Sequence, residues 1–212
     1  MLLFSELEPP QQTFASGLVY LRGFALRNEQ HLLADLNRVI AAAPLRTMMT
    51  PMGYPMSVAT TSCGTLGWVG DTHGYGYAAV DPISQLPWPA MPDSFMQLAQ
   101  TAAYAAGFKD FLPDACLINQ YQVGTKMGLH RDKDERDFTQ PIVSVSLGIP
   151  ARFQFGGRKR SDKSMQILLS HGDVVVWGGA SRMYYHGVMT IQPNQHPKLG
   201  STRINLTFRK AG

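Results

Sequence analysis

Apolar positions recur at helical spacing in two short stretches of the first half of the chain and at strand spacing through most of the second. From Asn28, which suits a helix N-cap, Leu32, Leu33, Leu36, Val39 and Ile40 fall on one helical face until Pro44 stops the run. A second helix is predicted over about 92–106, with Phe95, Leu98, Ala102 and Ala105 as its stripe; Pro92 and Asp93 suit its start and Gly107 its end. Between the two, the stretch 50–88 is rich in Gly, Tyr and Thr and poor in charge, which predicts short strands and loops. After Gly107 come short β-branched or aromatic runs at 115–123, 142–147, 152–155, 165–169, 174–177, 184–189 and 202–208, most of them separated by turn residues. Such a series predicts a mostly β, α+β chain whose core is a double-sheet jelly roll. No repeat or linker divides it; Pro87, Pro89 and Pro92 mark at most a seam between an N-terminal extension (about 1–90) and a helix plus β core (about 91–212) of one domain, 1–212.

The polar positions within these strands carry the chemistry. In an extended strand, side chains at i and i+2 leave from one face, so His130 and Asp132 converge while Arg131 points away. A distant His186 closes a set of two imidazoles and a carboxylate. Such a set leaves about three positions open on an octahedral metal, the facial arrangement of non-haem Fe(II) oxygenases. The same parity holds for Asn119 with Tyr121, and for Arg203, Asn205, Thr207 and Arg209, which alternate with Ile204, Leu206 and Phe208. Two arginines on a half-apolar strand call for an anion, because desolvating a guanidinium alone costs several kcal/mol, as an order of magnitude. A dicarboxylate meets that need, one carboxylate in each guanidinium fork. A His or Asp in a strand is more often a satisfied polar residue, and the His-x-Asp spacing alone would be read so; His186 and the arginine strand reverse that reading.

Composition narrows the partners. The chain has 212 residues, 44% of them hydrophobic and only 16% charged, enough for one substantial core and too ordered in character for a disordered chain. Nineteen basic against fifteen acidic residues give a net charge of +4, which favours a polyanionic partner. Cys63 and Cys116 are the only cysteines and form no metal-binding pair, so a reducing cytoplasm is the expectation. The N-terminal residues carry early acids and no basic stretch, and no apolar run reaches about 18 residues, so neither secretion nor membrane spanning is expected. His31, His73, His171 and His196 lack metal-ligand spacing, and the eleven methionines read as core filler.

Taken together, His-x-Asp, the distant His and Arg-x-Asn-x-x-x-Arg resemble the Fe(II)/2-oxoglutarate dioxygenases, and the wider text resembles their AlkB branch, the oxidative DNA-alkylation repair enzymes. The stretches that carry this begin at Thr50-Pro-Met-Gly-Tyr-Pro-Met-Ser-Val, Gly67-Trp68 and Trp88-Pro-Ala-Met-Pro. They continue through Pro113-Asp-Ala-Cys-Leu-Ile-Asn-Gln-Tyr, Leu129-His-Arg-Asp-Lys-Asp-Glu, Phe153-Gln-Phe-Gly-Gly, His171-Gly-Asp-Val-Val-Val-Trp and Asn205-Leu-Thr-Phe-Arg. The resemblance implies a double-stranded β-helix with N-terminal helices and a nucleotide-recognition lid, using Fe(II), 2-oxoglutarate and O2. It implies iron on His130, Asp132 and His186, and 2-oxoglutarate on Asn119, Tyr121, Arg203, Asn205 and Arg209, with Arg203 on the far carboxylate. In the lid, Trp68 would stack a flipped methylated base against His130, Tyr75 and Tyr77 would line the nucleotide path, Asp134 would face the exocyclic amine and Arg160 would contact the substrate strand. The partner implied is alkylated single-stranded DNA, with RNA and duplex DNA behind it, met by a monomer. The implied reaction demethylates 1-methyladenine and 3-methylcytosine types of base and releases formaldehyde, succinate and CO2.

Thr60, Met127, Gly128 and Arg131 depart from the family's usual residues, which bears on the pocket rather than the reaction. From composition alone, Trp68, Tyr75 and Tyr77 are ordinary lid aromatics. Asp134 and Arg160 could pair with each other or with Lys133 and Asp162, and Arg158, Lys159 and Arg160 are an ordinary solvated run. With Lys126, Lys133, Arg136 and Lys163 that run could also follow a phosphate backbone. Two other functions share part of the pattern: a 2-oxoglutarate hydroxylase of a small molecule or protein side chain, and a non-enzymatic metal-bound 2-oxoglutarate sensor.

Overall fold

A computed structural model describes residues 10–50, 52–71 and 74–212. The acids of the N-terminus, Pro51 of the lid motif and His73 lie outside the described residues. In chain order the elements are β1 (Gln11–Ala15), β2 (Leu18–Leu21), α1 (Glu29–Ala42), β3 (Arg46–Met49), β4 (Pro55–Gly64), β5 (Gly67–Asp71), β6 (Gly74–Ala78) and α2 (Asp93–Ala105). The remaining strands are β7 (Ala115–Tyr121), β8 (Met127–His130), β9 (Ile142–Gly148), β10 (Ala151–Phe155), β11 (Met165–Leu169), β12 (Val174–Trp177), β13 (His186–Val188) and β14 (Arg203–Arg209), with longer irregular segments over 131–141 and 189–202 and a 3-10 turn at Gly179–Ser181.

An eight-stranded sheet in the order β1-β2-β12-β9-β14-β7-β4-β3 faces a four-stranded sheet in the order β11-β10-β13-β8, and β5 pairs only with β6. This is the jelly roll expected of the sequence. The large sheet is covered on both sides, which explains why β12 reads Val-Val-Val-Trp without polar alternation. Its Val174 and Val176 join Leu32, Leu36 and Val39 of α1 and Phe95, Ala99 and Ala102 of α2 in one core. Val175 and Trp177 turn the other way, onto Phe153, Phe155, Ile167 and Leu169 of the small sheet.

Local structure departs from expectation in four places. Asn28 does stand at the N-cap of α1, but its side chain makes no cap bond, because the chain enters from a 3-10 turn over Phe24–Asn28. Strands β1 and β2 add to one edge of the large sheet although β1 is polar and mostly exposed, a pattern with no apolar alternation to read. The strand expected over 184–189 shortens to β13, three residues long. Finally, β8 ends at His130, so Asp132 lies just beyond the strand rather than within it.

Candidate metal and anion site

Two strand neighbours and one loop residue form the centre of the site. Antiparallel pairing of β13 with β8 sets His186 directly opposite His130, with ring centroids 4.5 Å apart. Asp132, past the end of β8, turns its carboxylate between them: Oδ1 lies 3.6 Å from His130 Nε2 and Oδ2 lies 3.7 Å from His186 Nε2. One ligand atom from each residue falls within 4.8 Å of the others, a spacing that a single ion can bridge. Each imidazole donates its Nδ1 proton to a backbone carbonyl, His130 to Gly128 at 2.9 Å and His186 to Tyr184 at 3.1 Å. Those bonds leave both Nε2 lone pairs free toward the centre, the support that metal-bound histidines require. Burial, reinforced by His130, lowers the His186 pKa to about 4, so its ring is neutral and able to ligate near pH 7.

Asp132 keeps its charge although it is buried. Burial alone would raise its pKa, but Arg209 and then the two histidines hold it well below the usual carboxylate range. Arg209 donates to Asp132 Oδ2 from Nε at 3.0 Å and from Nη2 at 2.6 Å, and its Nε also lies 3.3 Å from Glu135 Oε1. The Arg209 pKa is raised, because these carboxylates and Tyr77 outweigh its burial.

Glu135 is the hub of this end. It accepts from Tyr77 Oη at 2.7 Å and from Arg182 Nη2 at 2.9 Å. Arg182, itself buried, also donates to the Asp132 carbonyl at 2.9 Å and to the Gln140 carbonyl at 3.1 Å. The loop that carries Asp132 is therefore fixed from both its backbone and its side chain.

Arg203 has a different environment. It is 1% exposed, its Nη2 donates to Ser146 Oγ at 3.0 Å, and its guanidinium carbon stands 4.9 Å from the centre of the Tyr121 ring. Its Nε and Nη1 find no hydrogen-bond partner. Burial pulls the Arg203 pKa down. A buried guanidinium with two unmatched donors is costly unless an anion completes it, so the residues present fit a carboxylate-bearing ligand beside the His-Asp-His group.

These residues line a cavity of about 360 Å³, within the range of small-ligand sites. His130, Asp132, His186, Asn119, Tyr121, Arg203, Asn205 and Arg209 all reach it, as do Trp68, Tyr75 and Asp134. Asn205 is largely committed to the sheet: its amide donates to Ser144 Oγ and the Val145 carbonyl, and its oxygen accepts from Thr207. In the β5–β6 hairpin, Trp68 stacks on Tyr75 at 5.0 Å and 20°, and its indole N–H donates to Asp134 Oδ2 at 3.2 Å. Asp134 therefore pairs with the lid, not with Arg160 or Lys133. Tyr77 does not line the cavity, because its hydroxyl is bound to Glu135. Arg160 is exposed in the turn after β10, outside the cavity lining.

Glu135, Arg182, Ser144 and Ser146 were not among the sequence candidates. The two serines sit at i and i+2 in β9, so the parity test that found Asn119 and Tyr121 would have reached them. Glu135 and Arg182 lie outside the strands, where no periodicity points to a partner.

The family model of the 2OG-Fe(II) oxygenase superfamily matches residues 17–209. The chain is 56% identical over 209 residues to the alpha-ketoglutarate-dependent dioxygenase AlkB of Salmonella typhimurium, covering 99% of this chain and 97% of that one. It is 55% identical over 210 residues to the protein of the same name from Escherichia coli, with the same coverage. Among solved structures, that of OsALKBH1 superposes with a TM-score of 0.82 at 27% identity, over 95% of this chain and all of that one.

Proposed function

The chain belongs to the 2OG-Fe(II) oxygenase superfamily, and from that premise we propose that it removes N-linked alkyl groups from nucleic-acid bases by oxidative demethylation. The relatives named AlkB are alpha-ketoglutarate-dependent dioxygenases, and the family's cosubstrates are 2-oxoglutarate and O2. One observation carries the assignment of the site: the two unmatched donors of buried Arg203 share a cavity with the His130, Asp132 and His186 group.

In this reading His130, Asp132 and His186 hold Fe(II). Arg203 takes the far carboxylate of 2-oxoglutarate, and Asn119, Tyr121, Asn205 and Arg209 border the rest of it. When bound, Fe(II) with 2-oxoglutarate and O2 would supply the oxidation of an N-methyl carbon, which would leave as formaldehyde while one oxygen atom goes to the keto acid as it becomes succinate and CO2. The chain's own work is to bind, orient and shield. Trp68 and the half-exposed His130 ring offer the faces for a base, and Tyr75 backs Trp68. Asp134 complements a base made cationic by N1 or N3 methylation, as does the π face of Trp68. A base inside a duplex cannot reach this cavity, so the substrate is single-stranded DNA or a nucleotide extruded from the stack, with RNA the nearest alternative. Tyr77 holds the lid to Glu135, and Arg160 meets only the outer part of a longer strand. The reading takes 1–212 as one domain acting as a monomer in the cytoplasm, where the buried, unbridged Cys63 and Cys116 would stay reduced.

The test is the mass of defined methylated oligonucleotides after incubation with enzyme, Fe(II), 2-oxoglutarate and air. Loss of the methyl group, with an Asp132→Ala variant that neither retains iron nor turns over, is the expected result. Succinate release with no change in any base would instead favour a hydroxylase of another substrate.

A further inference from the structure

We infer that Thr60 is a positioning residue for the cosubstrate: its hydroxyl holds the oxygen of the Asn119 side-chain amide, so that the NH2 group faces the ligand. This rests on the reading above in which Asn119 borders 2-oxoglutarate. Thr60 lies in β4, is fully buried, and its Oγ1 has no hydrogen-bond partner. An unbonded hydroxyl inside a sheet is costly, and its presence in a folded chain calls for an explanation. Strand pairing decides which groups can reach it. On one side Thr60 stands opposite Arg46 of β3, whose guanidinium is committed to Asp81 through two bonds of 2.7 and 2.5 Å. On the other it stands opposite Asn119 of β7. Paired residues of antiparallel strands put their side chains on one face, with Cβ atoms about 4.5–5.5 Å apart.

That face is the cavity wall, since Leu117, Asn119 and Tyr121 alternate along β7 and all three line the cavity. The same polar rung continues from Asn119 through Asn205 of β14 to Ser146 of β9. Asn205 is already taken up, its amide by Ser144 and Val145 and its oxygen by Thr207. Asn119 therefore has a committed neighbour on one flank and an unpartnered hydroxyl on the other. The two ends of its amide are not equivalent to a ligand. A carboxylate only accepts hydrogen bonds, so the NH2 end alone can bind it, and a half-turn of the amide would aim the wrong end inward. A hydroxyl can donate or accept, and with an anion in the cavity only its donor role satisfies all three groups. Thr60 then gains the acceptor it lacks, and Asn119 loses the freedom to flip.

The experiment measures 2-oxoglutarate affinity of the Fe(II)-loaded, oxygen-free protein by calorimetry, and KM and kcat with a methylated oligonucleotide in air. It compares wild type, Thr60→Val, Thr60→Ser, Asn119→Ala and the Thr60→Val, Asn119→Ala double variant. Thr60→Val should weaken the affinity and raise the KM for 2-oxoglutarate by about fivefold, the size of one neutral hydrogen bond, with a much smaller change in kcat. Thr60→Ser should restore both. Without ligand, Thr60→Val should melt at or above the wild-type temperature, because an unbonded hydroxyl gives way to a methyl group. Once Asn119 is alanine, Thr60→Val should add no further loss. Unchanged affinity in Thr60→Val, an equal loss from it in both backgrounds, or a fall in ligand-free melting temperature that Thr60→Ser does not restore would overturn the inference. If wild type binds no 2-oxoglutarate, the cosubstrate reading itself fails. If Asn119→Ala binds it as wild type does, the inference fails with the placement of Asn119; if Asn119→Ala loses affinity and Thr60→Val does not, only the role of Thr60 fails.

Discussion

Arg203 and Arg209 stand on the same face of the same strand, both buried, and they are in opposite states. Arg209 is surrounded by negative charge, with Asp132 on two of its nitrogens and Glu135 beside it. Arg203 has a serine, the face of a tyrosine ring and two donors with nothing to bond. Sequence reasoning treats the two as equal halves of a clamp on one diacid. Their surroundings separate them into a guanidinium paired within the folded chain and one left short of partners on two of its nitrogens. A buried charge can thus be functional in two ways, by being fully paired or by being left one partner short.

The contrast is open to four measurements. Arg209→Leu leaves Asp132 and Glu135 buried with one cation fewer, which should cost about 3–5 kcal/mol and lower the thermal midpoint by about 10 °C, with iron binding lost as well. A melting temperature near wild type would mean that the carboxylates do not depend on Arg209. Acid should act on the same end of the strand. His186 has a folded pKa near 4 against about 6.5 when unfolded, so below about pH 6.5 the unfolded chain takes up its proton first. Stability of the iron-free protein should therefore fall as the pH drops from about 6.5 to 4, by an amount on the order of 3 kcal/mol from this group. Urea midpoints across that range should show the loss, and His186→Gln should flatten it.

Arg203→Leu should behave in the reverse way to Arg209→Leu. Its KM for 2-oxoglutarate should rise by about 100-fold, equivalent to about 2.7 kcal/mol, while the melting temperature stays level or rises because an incompletely bonded guanidinium has been removed. A drop in melting temperature as large as that of Arg209→Leu would erase the distinction. Tyr77→Phe is the mildest change. It removes one hydrogen bond to Glu135, at about 1 kcal/mol, and should raise the KM for a methylated oligonucleotide more than that for 2-oxoglutarate.

How legible this was depended on periodicity. Strand alternation has a period of two with little slack, so Asn119 with Tyr121, and Arg203 with Asn205 and Arg209, could each be placed on one strand face from the sequence, while the family resemblance joined them to His130 in one site. Asp132 reached the same centre although it lies outside the strand, because its carboxylate is drawn in by Arg209 and its backbone is fixed by Arg182. What the pattern could not give was partnership. Glu135 and Arg182 sit in irregular segments, and only the fold shows that they saturate one end of β14 and leave the other short. Strand β1 was hidden for a related reason, since it is mostly exposed and polar and its pairing is decided by the neighbour it meets.

The β5–β6 hairpin shares no ladder with either large sheet. Apart from its own pairing, its polar ties to the body among the described residues include Tyr77 to Glu135, the Trp68 indole to Asp134, the Trp68 amide to Ser62 Oγ and the Trp88 indole to the Ala78 carbonyl. Its amide protons can therefore trade with solvent deuterium through an excursion that breaks these few ties, while those of β14, sealed between β7 and β9, must wait for much deeper unfolding. The molecule thus keeps two clocks, a fast one at the hairpin beside the cavity and a slow one at the strand that carries Arg203 and Arg209.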